Sequence, residues 1–296
     1  MLSPDRNAER TAAAAFVASS VLAGGNAVCI RFSNRELDPL WGAGLRFSLA
    51  ALLLIAVGAA LRLEPPRGRA LLGAVLYGTL AIGAAFALAY YALVDLQAGL
   101  GQTLLAIVPL ATLFVAAAER QERFSLDAFV GALLALGGIA VMSRAPLEGD
   151  VPVLAVLAAI GAAFCFAQAA VVVRWFPQVH PVTINAVGMA TGAVLLVVAS
   201  VVAGDAIVLP EHGETWAALA YLVVVGSVVV FVLFLFVLRH WTATRASYQF
   251  VLIPVVTVAL SAWLDDEPIR AGLVFGGLLV IAGVYVGALR ARDRAD

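Results

Sequence analysis

Long apolar runs alternate with short charged or turn-rich breaks along this chain. A helix needs ~20 apolar residues to cross a hydrocarbon core, and on that measure the pattern predicts ten spans. Their limits are 11–30, 39–61, 70–94, 97–118, 126–143, 151–173, 182–203, 216–238, 246–264 and 271–289. The polar breaks are Arg31 to Asp38, Arg62 to Arg69, Glu119 to Ser125, Arg144 to Asp150, Arg174 to Pro181, Asp205 to Thr215, Arg239 to Arg245 and Asp265 to Arg270. Asp95 and Leu96 alone part spans three and four, which is the weakest break, and an eight-span reading would have to fuse neighbours. Arg6 and Arg10 ahead of an Ala-rich run could open a signal peptide. The run is long for one, and Asn26 to Arg31 offers no small-residue cleavage site, so it reads as a retained helix.

Composition narrows the class. Of 296 residues 63% are hydrophobic and 12% charged, and the mean hydropathy is +1.02. That leaves too little polar surface for a soluble enzyme, a disordered chain or a secreted disulfide scaffold. The expected fold class is an all-α membrane protein without a sizeable extramembrane domain. A net charge of −1 argues against a nucleic-acid partner. Cys29 and Cys165 lie inside apolar runs with no His nearby, so neither a metal site nor a disulfide is expected. No H-E-x-x-H, G-x-S-x-G, Walker sequence or paired intramembrane Asp is present, so no catalytic residue and no cofactor is expected. A membrane enzyme or a channel is the reading from a different class.

All eighteen basic residues are Arg. With the N-terminus inside, thirteen fall in inner segments and four in outer loops (Arg31, Arg35, Arg144, Arg270), so both termini are expected in the cytoplasm. Trp41, Trp216 and Trp263 near outer span ends, and Trp175 and Trp241 near inner ones, read as interface anchors.

The chain also repeats itself. Residues 93–143 align without a gap onto 238–288 at a shift of 145, with eleven identities. Pro109/Pro254 and Glu122/Glu267 are the informative pairs, because Pro and Glu are rare here. The loop Glu119-Arg120-Gln121-Glu122-Arg123 carries Arg, whereas its counterpart Leu264-Asp265-Asp266-Glu267-Pro268 is acidic. Five spans per unit, an odd number, invert the second unit, and inverted repeats are typical of secondary transporters. Two five-helix domains are therefore expected, 11–143 and 151–289.

These residues reach a known family. Pro39-Leu40 with Leu45-Arg46-Phe47, Pro109 followed by Ala118-Glu119-Arg120, Gly131 with Gly137-Gly138, Pro254 through Glu267, and Gly276 with Gly283 carry the resemblance. Over residues 11–289 the chain resembles the drug/metabolite transporter superfamily, EamA type. The resemblance implies two five-helix halves and a small-molecule substrate. Members move amino acids, nucleosides, toxic cations and other metabolites. The length and span count look most like the bacterial amino-acid exporters of the YddG type, which include exporters of aromatic amino acids. Export across the inner membrane by alternating access, by a monomer in the lipid bilayer, is the function this implies.

Pathway candidates follow from polarity. Pro109 and Pro254 near the middle of spans four and nine are expected to bend or break their helices beside a central site. An amide facing lipid costs about 2–4 kcal/mol, so polar side chains within spans should turn inward. The substrate-binding candidates are Asn26, Gln102, Thr103, Gln168, Ser247, Tyr248 and Gln249, with Tyr77, Tyr90 and Tyr91 as an aromatic wall. The alternative for each amide is interhelical glue. Arg46 is the one charge clearly within a span. It could hold a substrate carboxylate; a structural role ranks above that, pairing with Asp95 or Asp38 or snorkelling outward. Gly188/Gly192, Gly272/Gly276 and Gly283/Gly287 read as close helix-packing pairs, and spans five and ten as peripheral supports. No Asp, Glu or His falls at mid-span, which suggests a facilitator or exchanger rather than a proton-coupled pump.

Overall fold

The computed structural model describes residues 6–95, 104–143, 152–264 and 271–289, and all regular structure among them is helical. In chain order the helices are α1 (Arg6–Gly24), α2 (Asn26–Ser33), α3 (Pro39–Ala60), α4 (Arg69–Gly78), α5 (Ala85–Asp95), α6 (Val108–Ala118) and α7 (Leu126–Ser143). They continue with α8 (Val153–Val172), α9 (Pro181–Ala203), α10 (Gly213–Val223), α11 (Val230–His240), α12 (Ala243–Ser247), α13 (Gln249–Leu264) and α14 (Ala271–Val284).

Several are parts of one longer rod. Asn7–Ile30, Pro39–Ala60, Arg69–Ala92, Val153–Trp175, Pro181–Ala203 and Gly213–His240 are each long and apolar enough to cross a bilayer. Val108–Ala118, Leu126–Val141 and Val274–Leu289 are shorter apolar helices. Bulky apolar side chains cover the outer faces: Val202 is 83% exposed and Leu52 64%. In water such a surface would aggregate; in lipid it is solvated. The protein is a multi-pass membrane protein.

Corresponding elements of the two parts of the chain share their irregularities. The rod Arg69–Ala92 contains a π-helical segment at Thr79–Ala84, and Gly213–His240 contains one at Val224–Val229, which is the same position shifted by 145. Helices α3 and α9 both open on proline, Pro39 and Pro181. Beyond their C-terminal ends Arg62 (φ 54°) and Gly204 (φ 83°) both adopt the left-handed conformation, which satisfies terminal carbonyls by tightening the last turn.

Chain direction reverses across two close contacts. Gly131 of α7 lies against Gly283 and Gly287, and Gly138 lies against Gly276 and Val280, so α7 and the helix built on α14 run antiparallel. A methyl group on Gly138 would stand 2.6 Å from the Gly276 carbonyl oxygen, a separation only a bare backbone allows. Helices α3 and α9 also cross in opposite directions, with Gly44 on Val197 and Gly58 on Val182.

Polar ties join the ends. At one end the Ala206 amide donates to Asp38 (2.8 Å) and the Trp41 amide to Asp205 (3.3 Å). Glu36 accepts from the Glu211 amide (2.7 Å), the His212 amide (3.2 Å) and the Thr215 hydroxyl, capping α10. At the other end Glu122 accepts from Arg174 (3.0 Å) and from the Ala243 amide at the start of α12 (2.6 Å), while Arg245 bridges Glu9 (3.0 Å) and the Ala288 carbonyl (2.6 Å).

Candidate functional site

The first rod is interrupted at Gly25, between α1 and α2. The carbonyls nearest the break are taken by neighbours: the Tyr221 hydroxyl donates to Leu22 (2.8 Å) and the Thr257 hydroxyl to Gly24 (2.9 Å). In a membrane a break is tolerated when other helices supply such donors. Asn26 begins α2 at this point and faces a central cavity of about 250 Å³. The walls come from α1, α2, α3, α4, α5, α8, α11 and α13, so both parts of the chain contribute; α7 and α14 contribute none of its described lining.

Arg46 of α3 reaches this cavity and is 2% exposed. Its Nε donates to the Ser227 hydroxyl (2.7 Å) and its Nη2 to the Gly226 carbonyl (2.9 Å), both in the π-helical segment Val224–Val229. The guanidinium also stands 4.9 Å from the Phe47 ring centre and 6.0 Å from Phe86. A buried charge needs such compensation, because its desolvation costs several kcal/mol or more. The Asn26 amide makes a long 3.5 Å contact with the same Gly226 carbonyl. This corrects the expected roles of Arg46: Asp38 is engaged at Ala206, the guanidinium does not snorkel, and the Asp95 side chain lies outside the described residues.

Aromatic rings fill much of the wall. Phe231, Phe47, Phe86, Phe166, Phe250 and Phe234 form a continuous chain with centroid separations of 5.9, 4.9, 5.7, 4.8 and 6.3 Å. All but Phe47 line the cavity.

Of the residues expected at the site, Asn26, Tyr77, Tyr90, Gln249 and Arg46 line this cavity. The Tyr77 hydroxyl and the Asn26 Oδ1 are buried with no partner among the described residues. Gln249 accepts from Ser19 (3.0 Å) at its Oε1. Four others lie elsewhere. Tyr91 points outward, 49% exposed. The Gln168 amide is tied to Glu119 (2.5 Å), beside Trp175 bonded to the same carboxylate (2.6 Å). The Ser247 hydroxyl donates to Thr244 within its own turn (2.7 Å). Tyr248 packs on Gly287 and donates to the Ala128 carbonyl, so it ties the junction of α12 and α13 to α7 and to the π-helical segment Tyr285–Leu289 that follows α14. For Gln168, Ser247 and Tyr248 a carbonyl or carboxylate away from the cavity satisfies the polar group that polarity alone assigned to it. Gln102 and Thr103 lie outside the described residues.

The two prolines differ. At Pro109 the span is broken as expected: a turn at Ala106 and Ile107 interrupts it, and α6 restarts at Val108 with Pro109 in its first turn. Helix α13 continues through Pro254, and the interruption of that segment falls at Tyr248 instead. Sequence reasoning missed the phenylalanines. The spacing of Phe231 and Phe234, three apart on one face of α11, was the available signal.

Known proteins agree with this architecture. The profile of the EamA-like transporter family matches twice, at residues 10–144 and 153–288. The Uncharacterized inner membrane transporter YedA of Escherichia coli K12 is 28% identical over 290 residues, covering 92% of this chain and 91% of that one. An Uncharacterized transporter of Archaeoglobus fulgidus is 29% identical over 104 residues, 35% of this chain and 36% of that one. A protein crystal structure superposes with a TM-score of 0.83 over 97% of this chain and 99% of its own, at 20% identity, which is a likeness of fold. The chain belongs to the EamA-like transporter family.

Proposed function

We propose that the protein is a secondary exporter of small metabolites in the bacterial inner membrane, with amino acids, aromatic ones among them, as its substrates. It works by alternating access around the central cavity. Ten spans form two inverted five-helix repeats, 11–143 and 151–289, with both termini in the cytoplasm, and the monomer is the working unit. The observation that carries the reading is the cavity itself, walled by helices from both repeats. Matched π-helical segments, matched left-handed residues and antiparallel contacts between corresponding helices support the inversion. A volume of about 250 Å³ suits one small solute, and the phenylalanine wall suits an aromatic side chain.

None of the described lining residues is Asp, Glu or His. A proton relay normally needs such a group, so the protein acts as an exchanger or facilitator. Purified protein in vesicles preloaded with unlabelled phenylalanine should take up labelled phenylalanine by saturable counterflow, unaffected by an imposed pH gradient. Uptake that neither saturates nor responds to internal substrate contradicts the carrier reading. A large acceleration by the gradient contradicts the exchanger reading.

A further inference from the structure

The cavity is electrostatically one-sided. Arg46 is its only ionisable cationic group among the described lining residues, and no carboxylate stands opposite it. Its two bonds go to neutral acceptors, the Ser227 hydroxyl and the Gly226 carbonyl, from Nε and Nη2. The remaining nitrogen, Nη1, has no acceptor among the described residues. Neutral partners and ring faces lower the cost of burying the charge but do not cancel it. An anion entering this space would.

Resting on the transport reading above, we infer that Arg46 receives the carboxylate of an aryl-bearing acid, and that the amine of an amino acid is dispensable. The carboxylate oxygens accept from Nη1 and from the second hydrogen of Nη2, while the aryl group lies among Phe86, Phe166, Phe231 and Phe250. An α-ammonium meets only neutral acceptors, the unpartnered Asn26 Oδ1 and the Tyr77 hydroxyl. A neutral acceptor adds far less to a cation than a guanidinium adds to a carboxylate. Aryl carboxylic acids without an amine are therefore ligands alongside the amino acids, and aryl amines without a carboxylate are not.

The test is ligand binding to the purified full-length protein, read by thermal stabilisation and by competition. Three probes share one ring: phenylalanine, 3-phenylpropionate and 2-phenylethylamine. Phenylpropionate should bind within about threefold of phenylalanine, and phenylethylamine at least about tenfold more weakly, as loss of a charge-assisted bond implies. Arg46→Gln should remove the preference for acid over amine, and Arg46→Lys, which keeps the charge but loses the fork, should reduce it. A purely structural role for Arg46 would lower all three affinities together and leave their order unchanged. Phenylethylamine binding as tightly as phenylpropionate to the wild-type protein overturns the inference whichever variants fold. Binding of phenylpropionate without counterflow of phenylalanine would sustain the inference and overturn the amino-acid exporter reading.

Discussion

Helices α3 and α9 start alike and then diverge at one position. Both open on proline, and both end before a residue with positive φ. Seven residues past the proline α3 carries Arg46, and α9 carries Gly188. Each of these meets the π-helical rod of the other part of the chain. Arg46 sends its guanidinium to Gly226 and Ser227, whereas Gly188 lies bare against Gly78 and Tyr77 beside Thr79–Ala84. One contact is sealed backbone on backbone; its counterpart is held open by a charged side chain and borders the cavity. Duplicated scaffolds can thus keep one copy of a contact for packing and turn the other toward a ligand.

Substitution should separate the two contacts. The largest effect is expected at the sealed one. A methyl group on Gly78 would overlap the Gly188 carbonyl, and backbone cannot move aside. Gly78→Val should cost ~3 kcal/mol or more, seen as loss of folded protein in size-exclusion chromatography and thermal melts. Arg46→Met should behave in the opposite way. Removing a buried charge spares its desolvation cost, which offsets the lost bonds to Ser227 and Gly226, so the melt should change little while carboxylate flux falls at least about tenfold. Gly226→Ala lies between them. Its methyl would overlap the Asn26 Oδ1, a side chain able to rotate, so stability should fall by ~1 kcal/mol and vesicle flux should drop severalfold.

The helix ends give smaller contrasts. Around Gly204 a Cβ would meet nothing within 4 Å, so Gly204→Ala reports backbone conformation alone and should cost ~1 kcal/mol in the thermal melt. Arg62→Ala, which replaces one side chain in the same left-handed conformation by another, should change the melt little. The smallest effect concerns acid. The Thr215 hydroxyl, then the Glu211 and His212 amides and the charge of His212, hold the Glu36 carboxyl at about 2, below the usual 4.5. A depressed folded-state value means that this contribution is complete above pH 4.5 and is lost as pH falls through about 2. Between those values the wild-type melting temperature should fall more steeply than that of Glu36→Gln.

Six of the expected spans, those of the six long apolar rods, were legible because apolar run length is a local property that lipid reads directly. Three expected spans nevertheless hide interruptions, one beside Pro109 at Ala106 and Ile107 and two, at Gly25 and Tyr248, where tertiary donors and packing, not local composition, decide the break. The π-helical segments carry no signature either: Thr79–Ala84 is mostly apolar like its surroundings. Within the site, Asn26, Arg46, Tyr77, Tyr90 and Gln249 stood out because polar groups in apolar runs must face inward. The same logic misplaced Gln168 and Tyr248, whose partners Glu119 and the Ala128 carbonyl come from distant parts of the chain. Phenylalanine is equally at home against lipid and in a cavity. Spans apolar on every face give no periodicity to tell the two apart, and so the aromatic wall appeared only with the fold.

The mirrored threading of the two repeats underlies the whole account, and site-directed labelling tests it most directly. Starting from Cys29→Ser and Cys165→Ser, single cysteines at Arg67 and Ile207 mark corresponding connections, both exposed. In intact cells a membrane-impermeant maleimide should label the Ile207 position and reach the Arg67 position only after lysis. Equal labelling of both positions in intact cells would contradict the inversion and the alternating-access exporter built on it.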